Sequence, residues 1–369
     1  MRKHHPKNER VKHQYLAYLE EAKRLSQKSA DIAAAAIADF EASTGCKDFA
    51  AFRIDQARRY KRVLEEAINP KTKKPLAKAT INARLLAVKA FFFWLAGQPG
   101  YKSRITYSDC DYFNPSANDL RIGNAKRERP APELDQVKKT IAAMPSETAI
   151  EKRNRAIIAF GLLTGARVDA MASTKIGHVD LRDRSVFQDA REVRTKGRKT
   201  MRTTFFPVGD ELVEILADWI AYLKSEHGFT EADPLFPATK IEPDERGSFA
   251  ASGFQRVHWS TANAIREIFR KAYANAGLPY FHPHSLRHTL AKHGERICRS
   301  PEEFKAWSQN MAHASVLTTY YSYGSVSGDR QARIIKALAN RNESDAESSS
   351  DLDPETVAKV VAYLQKKAG

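Results

Sequence analysis

The sequence predicts a mainly α-helical protein of two domains, with one small β-hairpin in the second domain. Apolar residues recur at helical spacing through much of the chain. Two short neighbouring stretches, Ser185–Gln188 and Met201–Val208, have instead the character of strands. A chain of 369 residues is also long enough to bury two cores of ordinary size.

The first third of the chain is predicted to consist of helices with a basic surface. The clearest helical run occupies residues 80–97, with Thr80 as the expected N-cap and Gly97 as the expected end. One apolar face of this helix is formed by Ile81, Leu85, Val88, Phe92 and Leu95. Residues 1–130 contain 26 Lys or Arg and 14 Asp or Glu. We therefore place a small basic helical domain at residues 1–120.

A linker is predicted at residues 121–134, RIGNAKRERPAPEL. This segment is basic, contains two prolines and shows almost no apolar periodicity, which is typical of a connection between domains. The second domain is expected at residues 135–340. Its two candidate strands are flanked by helical patterns at 153–163, 210–224 and 261–276.

The last segment of the chain, residues 341–369, differs in composition from what precedes it. It begins with a Ser- and acid-rich stretch that we expect to be mobile. Asp353 and Pro354 then form a helix start signal. The predicted helix at 354–367 is amphipathic and needs a surface to dock on. Its apolar positions are Val357, Val360, Val361 and Leu364.

The net charge and the cysteine content limit the possible functions. A formal charge of +16 makes a polyanion the leading candidate partner, although charge alone does not separate DNA from RNA or a membrane surface. No apolar run approaches the roughly 18 residues of a membrane span, and the basic N-terminus has no apolar signal region. Three widely spaced cysteines do not predict a disulfide framework or a metal site. We therefore expect a cytoplasmic protein with no membrane partner.

The residues that could carry chemistry are concentrated in the second domain. The segment HPHSLRHTLAKH places His284 and Arg287 three residues apart at a helix start, so both can point to one side. Arg167 follows a Thr-Gly turn, also at a helix start. The turn between the candidate strands carries Lys196 and Lys199. Further candidates are His313, Tyr320, Tyr321 and Tyr323.

This set of residue types suits phosphoryl transfer. Charge develops on the non-bridging phosphate oxygens, and an arginine fork can bind two of them at once. A lysine on a mobile hairpin can protonate the departing 5′ oxygen. A tyrosine hydroxyl can attack phosphorus and hold the DNA end covalently, so that the bond energy is kept for resealing. No metal ion is required if the arginines and histidines neutralise the charge.

In kind and in order, these residues resemble the tyrosine recombinase, or phage integrase, family. The Thr-Gly-x-Arg turn is matched by Thr164 to Arg167, and the His-x-Leu-Arg-His box by His284 to His288. The hairpin lysine is matched by Lys196 in TKGRKTMRTTFFPV. The Leu-Gly-His motif appears as Met311-Ala312-His313 and is followed by Thr318-Thr319 and tyrosines. The resemblance covers about residues 8–340, since TINARLLAVKAFFFWL is similar to the last long helix of the family's core-binding domain.

The resemblance implies a role for each matched residue. Arg167 and Arg287 would clamp the scissile phosphate, and Lys196 would be the general acid, with Lys199 as its rival. His284 would assist proton transfer, and His313 would bond a non-bridging oxygen. Ser322 occupies the position nine residues after His313, where the family most often has tyrosine. Tyr323 is therefore the favoured nucleophile, ahead of Tyr321 and then Tyr320.

The resemblance also implies the fold, the partners and the reaction. The fold would be a two-domain clamp on double-stranded DNA, with a helical core-binding domain and a mixed α/β, mostly helical catalytic domain. The reaction would be site-specific, metal-independent and cofactor-free DNA recombination through a 3′-phosphotyrosine. The active species would be a homo-oligomer, a tetramer on DNA, assisted by an accessory recombinase or directionality factor and acting at the nucleoid of the cytoplasm.

Three other interpretations remain open at this point. The first is a non-catalytic DNA-binding regulator on an integrase-like fold. The second is a type IB topoisomerase or telomere resolvase, which would use the same residue types. The third is a zinc site at His284 and His288, which lie one helical turn apart. The zinc interpretation is the weakest, because neither an HExxH motif nor nearby cysteines accompany these histidines.

Overall fold

A computed structural model describes residues 5–70, 72–125, 130–243 and 248–312 of the chain. The chain separates into two compact units, Met1–Lys126 and Arg127–Gly369. Both are dominated by helices, and the small sheets lie in the second unit. The expected fold class, mostly helical with a small sheet, is confirmed.

The described part of the N-terminal unit contains five α-helices. Their bounds are α1 Pro6–Ala17, α2 Gln27–Ser43, α3 Ile54–Glu66, α4 Lys78–Ala96 and α5 Ala117–Asn124. The Ser26 side chain caps α2 by accepting from the backbone N–H of Ser29, and the Ser116 side chain caps α5 in the same way. A cluster of aromatic rings fills the core, in which Phe92 lies 5.1 Å from Phe40 and 5.3 Å from Phe113, measured between ring centroids.

Helix α4 is the long helix expected at residues 80–97, with one correction. It begins at Lys78, after Ala77, so Thr80 lies inside the first turn and is not the N-cap. It ends at Gly97 as predicted. The whole predicted apolar face is buried: Ile81, Leu85, Val88, Phe92 and Leu95. Phe91 is also buried, because the core surrounds more of this helix than a single stripe.

The same helix corrects the statement that no segment is long and apolar enough to span a membrane. Lys78–Ala96 is 19 residues long, with a mean hydropathy of 1.3, and passes that test by length and composition alone. One such helix is weak evidence, because the core helix of a folded domain has the same properties. Here 44% of its apolar window is buried inside the protein.

The predicted linker at residues 121–134 begins inside a helix. Residues 121–124 form the last turn of α5, and Gly123 lies so close to α4 that a Cβ there would be 2.6 Å from the Asn82 side chain. Proximity to α4 therefore holds this turn in helical form although its own sequence lacks apolar periodicity. Lys126, Arg127 and Arg129 lie outside the described residues.

The second unit has seven α-helices and five strands within its described part. The helices are α6 Leu134–Ala142, α7 Ala149–Thr164, α8 Val168–Met171, α9 Asp210–His227, α10 Asn263–Asn275, α11 Ser285–Ile297 and α12 Pro301–Asn310. The strands are β1 Val179–Asp180, β2 Ser185–Gln188, β3 Met201–Thr204, β4 Ala238–Pro243 and β5 Phe249–Gln255. All strand pairs are antiparallel, in the orders β1–β2–β3 and β4–β5.

The core of this unit surrounds α7. Thr148 and Glu151 form a capping box at the start of α7, and every residue from Ala156 to Thr164 is buried. Because the C-terminal half of α7 is enclosed on all sides, its end is a fixed point from which the following turn projects.

Strand β2 has the predicted bounds, whereas β3 stops at Thr204 and not at Val208. After Thr204 the chain leaves the ladder: the N–H of Phe206 donates to the carbonyl of Leu163 at the end of α7. Pro207 has no N–H to donate, and the Phe206 and Val208 side chains are buried in the core. The β4–β5 hairpin was not predicted, because β4 contains Lys, Glu and Pro, β5 is rich in Ala, Ser and Gly, and neither strand alternates clearly.

Candidate active site

The turn between α7 and α8 presents Arg167. Gly165 has a φ of 58° in the left-handed region, which glycine adopts without steric cost, and it ends α7. The Thr164 hydroxyl accepts from the N–H of Ala166 and so closes the turn. Arg167 is then the N-cap residue of α8. Its side chain is half-buried, and desolvation lowers the pKa of its guanidinium from the usual value.

Arg287 lies in the first turn of α11 and is 6% exposed. Its guanidinium donates one hydrogen bond to the carbonyl of Gly165 and another to the carbonyl of Met311, each 2.6 Å long. One side chain thus joins the Arg167 turn to the end of α12. Both of these acceptors are backbone carbonyls, which carry no formal charge.

The β2–β3 hairpin carries Lys196. Asp189 organises the start of its turn by accepting hydrogen bonds from the guanidinium and backbone N–H of Arg191. The tip at Lys196 to Arg198 is a short 3₁₀ turn in which Gly197 has a φ of 70°. Lys196 and Lys199 are both exposed.

One cleft brings Arg167, Lys196 and Arg287 together. It is formed by the Thr-Gly turn, the hairpin and the end of α12. Lys196 belongs to its lining, whereas the described lining does not include Lys199. Its lining residues are Thr164, Gly165, Ala166, Arg167, Ala170, Gln188, Thr195, Lys196, Met201, Thr203, Arg287, Asn310 and Met311.

His284 lies beside this cleft and not in its lining. It is the N-cap residue of α11, its ring centroid is 5.6 Å from that of His288, and its surface is exposed. Desolvation by the surrounding protein atoms lowers its pKa to about 4, and the positive charge of Arg287 acts in the same direction. The imidazole is therefore neutral at pH 7 in the unliganded protein, where it can accept a proton.

Asn310 is a site residue that the sequence analysis missed. Its side-chain oxygen accepts from the N–H of Thr204 and its amide donates to the carbonyl of Thr204, each over 2.8 Å. These two bonds clip the end of α12 to β3, so that Met311 and Ala312 follow from a fixed position. No sequence motif marks Asn310, and its role depends on a contact 106 residues away.

The remaining predicted site residues, His313 and Tyr323, lie outside the described residues, as do Tyr320 and Tyr321. Ala312, the last described residue, has a φ of 54°. The family pattern has glycine at this position, which suits a left-handed conformation. The departure from the family at Ala312 is therefore a local backbone strain, with no functional group lost.

The described residues contain no group of three or more His, Cys, Asp or Glu that could hold a metal ion. The rings of His284 and His288 are neighbours in an edge-to-face arrangement, with their planes at 88°. The ring of His282 lies 6.1 Å from that of His284 and adds a third imidazole nearby. The charges of Arg287 and Arg167 act on the His284 ring and disfavour its protonated form.

Comparison with known proteins identifies the family of this chain. The sequence model of the phage integrase family matches residues 133–327, which is more than half of the chain. This chain belongs to the phage integrase family. The predicted family and the predicted class of enzyme, a tyrosine-type site-specific DNA recombinase, are confirmed.

Individual relatives are distant. The chain is 24% identical over 257 residues to tyrosine recombinase XerC of Xylella fastidiosa strain 9a5c, covering 69% of this chain and 73% of that protein. It is 27% identical over 252 residues to XerC of Lactobacillus delbrueckii subsp. bulgaricus strain ATCC BAA-365, covering 67% and 72%.

Solved integrase structures share the fold of this chain. The lambda integrase (residues 75–356) dimer bound to a COC′ core site has a TM-score of 0.57 at 14% identity, covering 87% of this chain and 96% of that one. The Tn1549 transposon integrase in complex with transposon right end DNA has a TM-score of 0.56 at 15% identity, covering 89% and 99%.

Proposed function

We propose that this recombinase cuts and rejoins double-stranded DNA at specific sites through a 3′-phosphotyrosine intermediate. The observation that carries the proposal is the convergence of Arg167, Lys196 and Arg287 on one cleft from three separate elements. Two arginines and a lysine around one concave surface suit a single phosphodiester. The DNA-bound state of integrases with this fold supports double-stranded DNA as the partner.

Arg167 and Arg287 bind the non-bridging oxygens of the scissile phosphate. The Arg287 guanidinium is held by two carbonyls and loses little further freedom when the phosphate binds. His313 adds a hydrogen bond to a non-bridging oxygen. With these cationic and polar groups in place, the reaction proceeds without a metal ion or a cofactor.

The nucleophile is the hydroxyl oxygen of Tyr323, which attacks phosphorus. The new phosphorus–oxygen bond to tyrosine forms as the bond to the 5′ oxygen breaks, and Lys196 gives a proton to that leaving oxygen. His284 assists in moving the tyrosine proton, and its pKa of about 4 keeps the imidazole neutral at pH 7 before DNA binds. Attack by a 5′ hydroxyl on the phosphotyrosine reverses these steps and reseals a strand.

Each domain of the chain has its own role in DNA binding in this proposal. Residues 1–120 form a core-binding domain whose basic surface holds the duplex, and residues 121–134 connect it to the catalytic domain at 135–340. Together the two domains clamp the DNA. Binding by many Lys and Arg residues makes the affinity fall steeply with salt.

The active assembly is a homo-oligomer, which we propose to be a tetramer on two DNA sites in the cytoplasm, at the nucleoid. An accessory recombinase or directionality factor sets the direction of its reaction. Residues 341–369 supply a docking element between protomers. Deleting this segment should therefore weaken assembly on DNA, and unchanged assembly in gel filtration of the DNA complex would remove this part of the proposal.

The test is a covalent adduct with DNA. Duplexes that the protein binds are first selected from a randomised pool, and nicked versions of the selected site are then made with the nick moved along it. We expect wild type to form an adduct that survives denaturation, and Tyr323→Phe to form none. If the adduct persists in Tyr323→Phe and disappears in Tyr321→Phe or Tyr320→Phe, the nucleophile is that other tyrosine. Binding without any adduct would indicate a DNA-binding regulator.

The same substrate separates the two lysines of the hairpin. Because Lys196 lines the cleft, Lys196→Met should slow adduct formation by about 10²- to 10⁴-fold, the usual contribution of a general acid. Lys199→Met should change it by less than about threefold by the same reasoning. The opposite order would make Lys199 the acid.

A further inference from the structure

Arg194 joins the β2–β3 turn to the body of the second unit. Its guanidinium donates to the carbonyls of Trp259 at 2.6 Å, Ser260 at 2.8 Å and Ala172 at 3.2 Å. Arg194 lies two residues before Lys196. Three carbonyls on two separate segments therefore hold the arm of the turn from which Lys196 projects.

The carbonyls that accept from Arg194 lie on a firmly held part of the fold. The ring of Trp259 is mostly buried and packs 4.9 Å from the guanidinium carbon of Arg153. Arg153 belongs to α7 and is itself 3% exposed, with hydrogen bonds of 2.9 Å to the carbonyl of Pro237 and the hydroxyl of Thr239. Arg194 is thus fixed against the core helix of the unit.

A second set of contacts connects Arg194 to the element that presents Arg167. The backbone N–H of Arg194 donates to the hydroxyl of Ser173 at 2.9 Å, and that hydroxyl donates to the carbonyl of Asp169 at 2.9 Å. Asp169 lies in α8, and Arg167 is the residue at the N-cap position of that helix. The hairpin arm and the phosphate-binding turn therefore share one anchor.

The tip of the turn beyond Arg194 has weaker support. Lys196, Gly197 and Arg198 are all exposed, and the last two have φ values of 70° and 52°. Arg198 donates to the carbonyl of Ala190 over 3.3 Å, a contact inside the turn that does not reach the body of the unit. The position of the Lys196 ammonium thus depends mainly on where its arm is attached.

We infer that Arg194 is a positioning residue, which holds Lys196 within reach of the leaving 5′ oxygen. The inference rests on the proposed function, in which the Lys196 ammonium gives its proton to that oxygen as the bond to phosphorus breaks. Arg194 does not touch the phosphate in this arrangement, because its guanidinium is directed to backbone carbonyls. Its loss should impair proton donation while leaving phosphate binding and tyrosine attack in place.

A sulfur atom in place of the leaving 5′ oxygen separates these steps. A thiolate is a good leaving group, because its conjugate acid has a pKa of about 8.5, and it departs without a proton donor. An alkoxide is far more basic and needs a proton donor to depart. The experiment compares nicked duplexes of the selected site that carry either oxygen or sulfur at this position. The variants are Arg194→Met, Arg194→Lys, Lys196→Met and, as a matched control on the same turn, Arg198→Met.

We expect Arg194→Met to slow adduct formation on the oxygen substrate by about 10- to 100-fold, the effect of a misplaced catalytic group. On the sulfur substrate both Arg194→Met and Lys196→Met should come within about threefold of wild type, since no acid is needed. Arg194→Lys should recover part of the rate, because its ammonium still donates to one of the three carbonyls. Arg198→Met should resemble wild type on both substrates.

Equal slowing on both substrates would overturn the inference, because it would mean that Arg194 serves binding or folding. The same loss in Arg198→Met would overturn it as well. A wild-type protein that forms no adduct with either substrate would contradict the proposed function itself.

A measurement without DNA provides an independent check. Amide hydrogen exchange of Arg194→Met should rise in residues 190–200 and stay unchanged in α7 and α11, since the anchor of the hairpin alone is lost. Unchanged exchange in the hairpin would show that Arg194 does not hold it, whatever the activity of the variant.

Discussion

The Arg287 guanidinium donates to the carbonyl oxygen of Gly165 across 2.6 Å, although the two residues lie 122 positions apart. Gly165 is the left-handed residue that ends α7, and Arg167 follows two residues later. The two arginines proposed to clamp the phosphate are therefore connected through one hydrogen bond and a two-residue step of backbone. A substitution that displaces either arginine should therefore also displace the other.

Replacing Arg287 by lysine should cost stability as well as activity. Lysine keeps the charge but has a single nitrogen in place of the two that bond Gly165 and Met311, so we expect one buried carbonyl to lose its partner. Losing a hydrogen bond to a charged group costs about 1.5–3 kcal/mol of the free energy of unfolding. Urea denaturation followed by tryptophan fluorescence measures this cost.

The control for that variant is Arg296→Lys on the same helix. Arg296 is exposed and pairs with Glu133, so its replacement should change the free energy of unfolding by less than about 0.5 kcal/mol. Equal losses in the two variants would contradict the bridging role of Arg287.

Asn310→Ala should slow DNA cleavage without weakening DNA binding. The variant loses both hydrogen bonds to Thr204, so the end of α12 is no longer clipped to β3 and the chain leading to His313 starts from a less defined position. A slowing of about 10-fold or more is expected from such a loss of orientation. Adduct formation measures the rate and gel shift measures the affinity.

The neighbouring residue Gln309 provides the comparison. Its side chain is exposed, and Gln309→Ala should leave both the rate and the affinity near those of wild type. If Asn310→Ala cleaved at the wild-type rate, the clip would have no part in catalysis.

Ala312→Gly should stabilise the protein. The φ of 54° at Ala312 carries a steric cost of about 1–2 kcal/mol for a residue with a Cβ, which glycine avoids. The greater freedom of glycine in the unfolded chain offsets about 0.4–1 kcal/mol of that gain. From the middle of the two ranges, the expected net increase in the free energy of unfolding is about 0.8 kcal/mol.

The matched substitution for this test is Ala306→Gly, at an exposed position inside α12. It should destabilise the protein by about 1 kcal/mol, because glycine is a poor helix former. Shifts of the urea midpoint in opposite directions from wild type would support a strained backbone at Ala312. A lower midpoint in both variants would contradict it.

His284 should remain neutral through the range in which ordinary histidines titrate. Its pKa of about 4 lies below the usual 6.5, because desolvation and the nearby arginines disfavour the charged form. Between those two pH values the unfolded chain binds the proton and the folded chain does not, so this residue's contribution to stability is complete above pH 6.5 and falls as the pH falls towards 4.

NMR of protein labelled in its histidine rings can follow this titration, with the His284 signal identified by its absence in His284→Gln. We expect a midpoint below pH 5 without DNA. A midpoint near 6.5 would mean that neither the arginines nor the surrounding atoms affect this imidazole, and would remove the argument for a neutral proton acceptor.

Much of the fold class followed from local pattern. The face of α4 and the bounds of β2 were predictable because periodicity and strand propensity are properties of neighbouring residues. The end of β3 and the β4–β5 hairpin were not, because the first depends on burial of Phe206 and Val208 beneath α7, and the second on pairing between weak strand formers.

The sequence by itself determined the family and the residue types expected at the site. Thr164 to Arg167 and His284 to His288 are motifs of consecutive residues, which can be recognised without a structure. Only the tertiary structure decided how they meet. The bond from Arg287 to Gly165, the clip at Asn310, the anchor at Arg194 and the entry of Lys196 into the cleft all join residues distant in the chain. The physical reason is that such contacts form when the core around α7 packs, and no local pattern records which carbonyl a distant side chain will reach.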